Sequence, residues 1–257
     1  MLAGIFDTHA HMDDPCFSAQ LDEVLSEQKR KGVVGIINSG SDLLSSARSC
    51  EMADKYDFVY ASVGIYPNET ADLPNDYLKQ LEYLCKNKKV VAVGEIGMDY
   101  GFEGHPNAKI QELRFREQLE LAKSVNLPVV IHDRDADTDT LRIIKDYSIK
   151  GEIHRIFSPL KVALKFMEMG IYMGIGPQIT YPDSECLIEL VREMPLELLL
   201  LETDAPFLPP SHLIGESAKP DMISFVAEKI SSLRGDVTAQ EVLDIARENA
   251  KLLYNIK

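Results

Sequence analysis

A chain of 257 residues accommodates one large α/β barrel or two smaller domains, and 45% hydrophobic with 26% charged residues is an ordinary globular composition. No apolar run approaches the ~20 residues that span a bilayer. The amino terminus enters a strand pattern without the basic-then-apolar layout of a signal peptide, which predicts a cytoplasmic protein. A net charge of −14 argues against a broad electrostatic nucleic-acid surface. It leaves room for a nuclease, because metal ions and a few basic side chains can hold phosphate locally. Cys16, Cys50, Cys85 and Cys186 are far apart, form no C-x-x-C pair and read as reduced thiols.

In chain order, short apolar runs predict strands over 5–8, 33–37, 59–64, 90–95, 129–132, 152–154, 171–174 and 198–202. Helical patterns fall between and after them, over 21–31, 47–56, 76–86, 110–125, 138–147, 161–169, 186–192 and 222–233. The clearest is 110–125, where Phe115, Leu119 and Ala122 form one stripe. A last helix follows the capping-box spacing Thr238-Ala239-Gln240-Glu241 and is expected to pack through Val242, Ile245 and Leu252. Continuous rather than alternating apolar strands indicate a sheet covered on both faces. Eight such strands alternating with helices predict a single-domain α/β chain, 1–257, folded as a (β/α)₈ TIM barrel. An open doubly wound sheet is the runner-up.

The potential metal ligands sit at strand ends. His9 and His11, two apart in Asp7-Thr8-His9-Ala10-His11, present two imidazoles to one side of an extended strand. Glu95 ends the fourth strand, His132 the fifth and His154 the sixth, and Asp204 lies just past the eighth. Each alone has a plainer reading: Glu95 paired with an arginine, His132 and His154 as satisfied core histidines, Asp204 as a turn cap before Pro206. A barrel carries the C-terminal ends of all its strands to one mouth, so the joint pattern predicts a metal site there. Four histidines and two carboxylates exceed what one tetrahedral ion needs. They suit two divalent ions (Mg, Zn or Mn) bridged by Glu95, with Asp204 accepting a proton from the attacking water. His105 and His212, and the acids Asp13, Asp14 and 133–139, read as loop, solvated or helix-start residues.

With these residues in place, the chain resembles the TatD family of metal-dependent deoxyribonucleases within the amidohydrolase superfamily, over essentially its whole length. The carriers are Asp7-Thr8-His9-Ala10-His11, Gly94-Glu95-Ile96-Gly97-Met98-Asp99-Tyr100, the stretch 128–136 around His132 and Glu202-Thr203-Asp204-Ala205-Pro206-Phe207. The closing stretch 248–253 also resembles the family's last helix. The resemblance implies His9, His11, Glu95, His132, His154 and Asp204 as metal ligands. It also implies divalent-metal-dependent hydrolysis of DNA phosphodiesters, of the 3′–5′ exonuclease type, with DNA as substrate and no membrane or organic cofactor.

Three loops depart from the family pattern. Tyr66-Pro67-Asn68 replaces a histidine-proline-histidine triplet. Arg155-Ile156-Phe157-Ser158 replaces small residue, aromatic, serine, glycine, and Glu216-Ser217-Ala218 replaces lysine-arginine-asparagine. These changes bear on the substrate more than on the chemistry. Two other readings therefore stand beside a nuclease. One is hydrolysis of another ester or amide, such as D-aminoacyl-tRNA deacylation; the other is a metal-binding protein without turnover. With the usual basic pair missing, Arg155, together with Arg134, is the candidate phosphate contact, and Tyr66 and Asn68 are further candidate substrate contacts. The alternative for Arg155 is that strand alternation turns it away, to pair with an acid such as Glu152.

Overall fold

The computed structural model describes residues 2–101 and 103–257. Eight parallel strands pair in chain order: β1 (Ile5–Ala10), β2 (Val33–Ser39), β3 (Val59–Val63), β4 (Val90–Asp99), β5 (Val129–Arg134), β6 (Gly151–Ile153), β7 (Tyr172–Ile175) and β8 (Leu199–Leu201). A parallel bridge joins Ala10 to Ala205, and the His11 N–H donates to the Ala205 carbonyl at 2.7 Å, which brings β1 against the segment after β8. The sheet is thus a nearly closed barrel and not the open alternative. Helices α1 (Leu21–Arg30), α2 (Leu43–Lys55), α3 (Tyr77–Leu84), α4 (Ala108–Val125), α5 (Asp137–Ile144), α6 (Leu160–Glu168) and α7 (Glu185–Glu193) alternate with the strands. Two more, α8 (Ile223–Arg234) and α9 (Ala239–Tyr254), close the chain. None of the described helices is long and apolar enough to cross a membrane.

Strand residues alternate between two apolar clusters, as the pleat requires. Ile5, Ile36, Val129, Ile131, Leu199 and Leu201 belong to the large core shared with the helices. Their neighbours Phe6, Ile37, Val130 and Leu200 turn inward and meet Ala250, Leu253 and Tyr254 of α9. The end of α9 therefore plugs the N-terminal end of the barrel. Each fully buried leucine there contributes about 1.5–3 kcal/mol, and this apolar floor supports the polar mouth opposite.

Local signals set the boundaries. α2 begins at Leu43, earlier than the apolar pattern suggests, because Asp42 caps it in a reciprocal capping box with Ser45. Asn126, in the left-handed region at φ 55°, terminates α4. Thr238 and Glu241 form the expected capping box of α9. α9 packs through Val242, Leu243, Ala246 and Ala250, whereas Leu252 is 74% exposed. Its expected packing role is thus not realised, because the buried stripe continues from Ala250 to Leu253 and Tyr254. β4 also runs four residues past Glu95, to Asp99. Its register against β5 slips by one residue between Val93 and Ile96, so the strand bulges at Gly94-Glu95.

Candidate metal centre

All six candidate ligands reach the C-terminal mouth. His9 lies in β1, His11 just past it, Glu95 at the β4 bulge, His132 in β5, His154 directly after β6 and Asp204 beyond β8. His9, Glu95, His132, His154 and Asp204 are buried, and His11 is half-buried. The two carboxylate oxygens of Glu95 face different histidine pairs. Oε1 lies 2.8 Å from His132 Nδ1 and 2.9 Å from His154 Nε2. Oε2 lies 3.4 Å from His9 Nε2 and 3.7 Å from His11 Nε2. Asp204 Oδ1 closes the second group, 3.4 Å from His11 Nε2 and 3.8 Å from His9 Nε2.

Within each pair the ring nitrogens nearly touch: His9 Nε2 and His11 Nε2 are 3.2 Å apart, His132 Nδ1 and His154 Nε2 3.0 Å. The opposite ring atoms decide what these contacts are. His11 Nδ1 donates to the Ser39 carbonyl at 2.9 Å, and His132 Nε2 donates to the Asp99 carboxylate at 3.2 Å. In the neutral form that binds a cation an imidazole carries one proton, and with that proton on the outer nitrogen the inward nitrogens of His11 and His132 offer lone pairs. Lone pairs converging on a shared carboxylate are the donor set of a divalent cation, and outward N–H bonds of this kind orient metal-bound histidines. The residues fit divalent cations: His9, His11 and Glu95 form one candidate group and Glu95, His132 and His154 another. His9 Nδ1 has the Ser39 hydroxyl at 3.2 Å, and His154 Nδ1 has Glu202 Oε2 at 3.7 Å.

Charge around the centre is strongly coupled. Burial opposes ionisation of Glu95, yet His154, His132 and His9 hold its carboxyl well below the usual range. Asp204 is likewise held low against its burial, by His11 and His9. Burial opposes protonation of His11, but Asp204 and Glu95 raise it to about 9. Protons thus stabilise the same carboxylates that cations would.

Three buried carboxylates stand two residues ahead of a candidate ligand: Asp7 before His9, Glu152 before His154 and Glu202 before Asp204. Asp7 accepts from the Thr203 N–H at 3.0 Å and ties β1 to the turn that carries Asp204. Glu152 accepts from the Thr8 hydroxyl at 3.2 Å, and burial with Glu202 nearby pushes it up to about 8. None of these acids, nor Asp99, has a role at the site assigned from the sequence, although their even spacing from a candidate ligand is visible in it.

Arg155 turns into the mouth. Its Nη1 donates to Asp204 Oδ2 at 3.0 Å, so the alternative of a pairing with Glu152 is corrected. Alternation failed as a guide because β6 ends at Ile153 and Arg155 sits in the left-handed region at φ 46°. Asp204 is there too, at φ 58°, which swings its carboxylate back over the histidines. A cavity of about 340 Å³ over the centre is lined by His11, Arg48, Tyr66, Arg155, Asp204 and Phe207. A second, of about 370 Å³, shares Arg155 with it and adds Arg134, Phe157, Tyr181 and several aspartates. Arg48, on α2, escaped the sequence reading. Tyr66 lines the first cavity and Asn68 neither; both bond Asp99, at 2.6 and 3.3 Å.

Residues 6–255 match the family model described as TatD related DNase. An uncharacterized metal-dependent hydrolase of Bacillus subtilis, YabD, is 37% identical over 98% of this chain and 99% of its own. The crystal structure of the Escherichia coli TatD homologue YjjV superposes with a TM-score of 0.94 at 31% identity, covering 100% of both chains. A Schizosaccharomyces pombe protein named deoxyribonuclease Tat-D is 33% identical over 79% of this chain and 67% of its own. The mouth described above and these likenesses agree: the chain is a metal-dependent hydrolase and belongs to the TatD-related DNase family.

Proposed function

We propose that the chain hydrolyses DNA phosphodiesters at strand ends, with two divalent ions held by His9, His11, Glu95 and Asp204 on one side and Glu95, His132 and His154 on the other. The observation that carries this reading is the division of the Glu95 oxygens between two histidine pairs. When bound, such a pair of ions supplies Lewis-acid polarisation of a phosphoryl oxygen and a nucleophilic water at neutral pH. Four imidazoles suit zinc better than magnesium. Asp204 accepts a proton from the attacking water as the water oxygen bonds to phosphorus; the bond to the leaving oxygen breaks, and that oxygen takes the bonding pair and then a proton from solvent. Arg155 spends one N–H on Asp204 and has further donors to grip a phosphate oxygen. Arg134, on the rim of the second cavity, assists at a neighbouring phosphate.

A second reading rests on the aspartates of that cavity, among them Asp133, Asp135, Asp137 and Asp183. Carboxylates beside the scissile bond repel a long polyanion and attract an amine, which favours a short or aminoacyl ester. One assay separates the readings: metal-reconstituted protein against single-stranded DNA, duplex DNA, RNA and charged tRNA. Release of nucleotides from DNA is the expected result. Turnover of charged tRNA alone moves the assignment to the ester, and inertness on all four overturns both.

A further inference from the structure

Tyr66 and Asn68 lie in the loop after β3, and the geometry gives them a task apart from substrate. Asp99, at the end of β4, has no exposed surface. Its Oδ2 accepts from the Tyr66 hydroxyl at 2.6 Å, from Asn68 Nδ2 at 3.3 Å and from His132 Nε2 at 3.2 Å. Its Oδ1 accepts from the Gly101 N–H at 2.9 Å. Gln111 of α4 clamps its backbone, accepting from the Asp99 N–H at 2.8 Å and donating to the Asp99 carbonyl at 2.9 Å. The Tyr66 oxygen lies a further 3.4 Å from His132 Nε2. The tyrosine proton is therefore spent on the carboxylate, while its lone pair faces the histidine N–H.

His132 is the one histidine of the four that turns Nδ1, not Nε2, toward the shared carboxylate Glu95. Nδ1 neighbours the ring's attachment carbon, so its lone pair reaches the centre only while the ring is held at its far edge. Asp99 is that hold, and Tyr66 and Asn68 keep Asp99 in place. Resting on the two-ion reading, we infer that Tyr66 and Asn68 are positioning residues: through Asp99 they fix the proton of His132 on Nε2 and aim Nδ1 at the ion shared with His154. They do not grip substrate.

Manganese alone, titrated into the metal-free chain and followed by the signal of the free ion, tests this. Wild type is expected to take up two ions. Asp99→Ala should weaken one of them by roughly 10–100-fold, leaving the other unmoved. Tyr66→Phe should weaken the same ion by roughly fivefold and Asn68→Ala less, because each removes only one of several hydrogen bonds to Asp99 and acts on the ion through it. At saturating manganese Tyr66→Phe should keep the wild-type KM on a phosphodiester. Should Asp99→Ala fail to fold, Tyr66→Phe, which removes only an oxygen atom, carries the test. Unchanged manganese affinity in Tyr66→Phe overturns the inference, and a raised KM with affinity intact makes Tyr66 a substrate contact instead. Absence of uptake by wild type overturns instead the metal centre on which it rests.

Discussion

The two ends of the barrel grow from the same strands and carry opposite chemistry. At the N-terminal end Phe6, Ile37, Val130 and Leu200 close against Leu253 and Tyr254 of α9. A few residues further along, His9, Glu95, His132, His154 and Asp204 gather ionisable groups, none more than 6% exposed. Burying apolar surface stabilises the fold, whereas burying charge costs unless every group is paired. At the mouth, Arg155 and Asp204 are both in the left-handed region. Such strain persists where the surroundings over-determine it. The floor supplies the stability that lets the mouth hold an arrangement suited to ions.

Variants at each end should therefore fail differently. The largest effect is expected at Asp204→Asn. Losing the proton acceptor should lower turnover by roughly 10²–10⁴-fold, with some bound metal retained, as steady-state kinetics and elemental analysis would show. Wild-type turnover would remove Asp204 from that role. Leu200→Ala, at the floor, should cost about 2–5 kcal/mol in denaturant unfolding and leave metal stoichiometry intact. A loss of ions without a loss of stability would break the division between the two ends.

Arg155→Ala is expected to do less. A hydrogen bond to a charged group contributes about 1.5–3 kcal/mol, so KM for DNA should rise roughly tenfold or more while metal content holds. Unchanged kinetics on every phosphodiester tested would make Arg155 a structural partner of Asp204 only. The smallest effect lies away from both ends. Glu112 of α4 accepts two bonds from Arg142 of α5, at 2.9 and 2.6 Å, and one from Arg116 at 2.9 Å. Arg142 chiefly, then Arg116, lowers its carboxyl from 4.5 to about 2. A carboxyl whose pKa is lowered by folding adds stability above its unfolded value, and that stability is lost as pH falls through the folded one. Glu112→Gln should thus be less stable than wild type near neutrality, with the gap narrowing from pH 4.5 down to about 2. A gap independent of pH would contradict it.

Much of this was legible in the sequence. Continuous apolar strands such as 90–93 and 129–131 announced a sheet covered on both faces, and each candidate ligand stands at or just past the end of such a run. Less legible was whatever depends on departures from regular geometry. The bulge at Glu95 and the continuation of β4 to Asp99 leave no mark in the apolar pattern. The orientation of Arg155 followed a left-handed turn instead of the strand's alternation. Tyr66 and Asn68 looked like substrate contacts because the family difference there was visible, while their shared partner lies more than 30 residues away.

The central claim is that one carboxylate, Glu95, joins two metal sites. Counting divalent ions per chain in wild type and Glu95→Ala, by calorimetric titration with elemental analysis, tests it most directly. Two ions in wild type, with both weakened together in Glu95→Ala, is the expected result. A single ion in wild type, or two ions held at full affinity by Glu95→Ala, would contradict it.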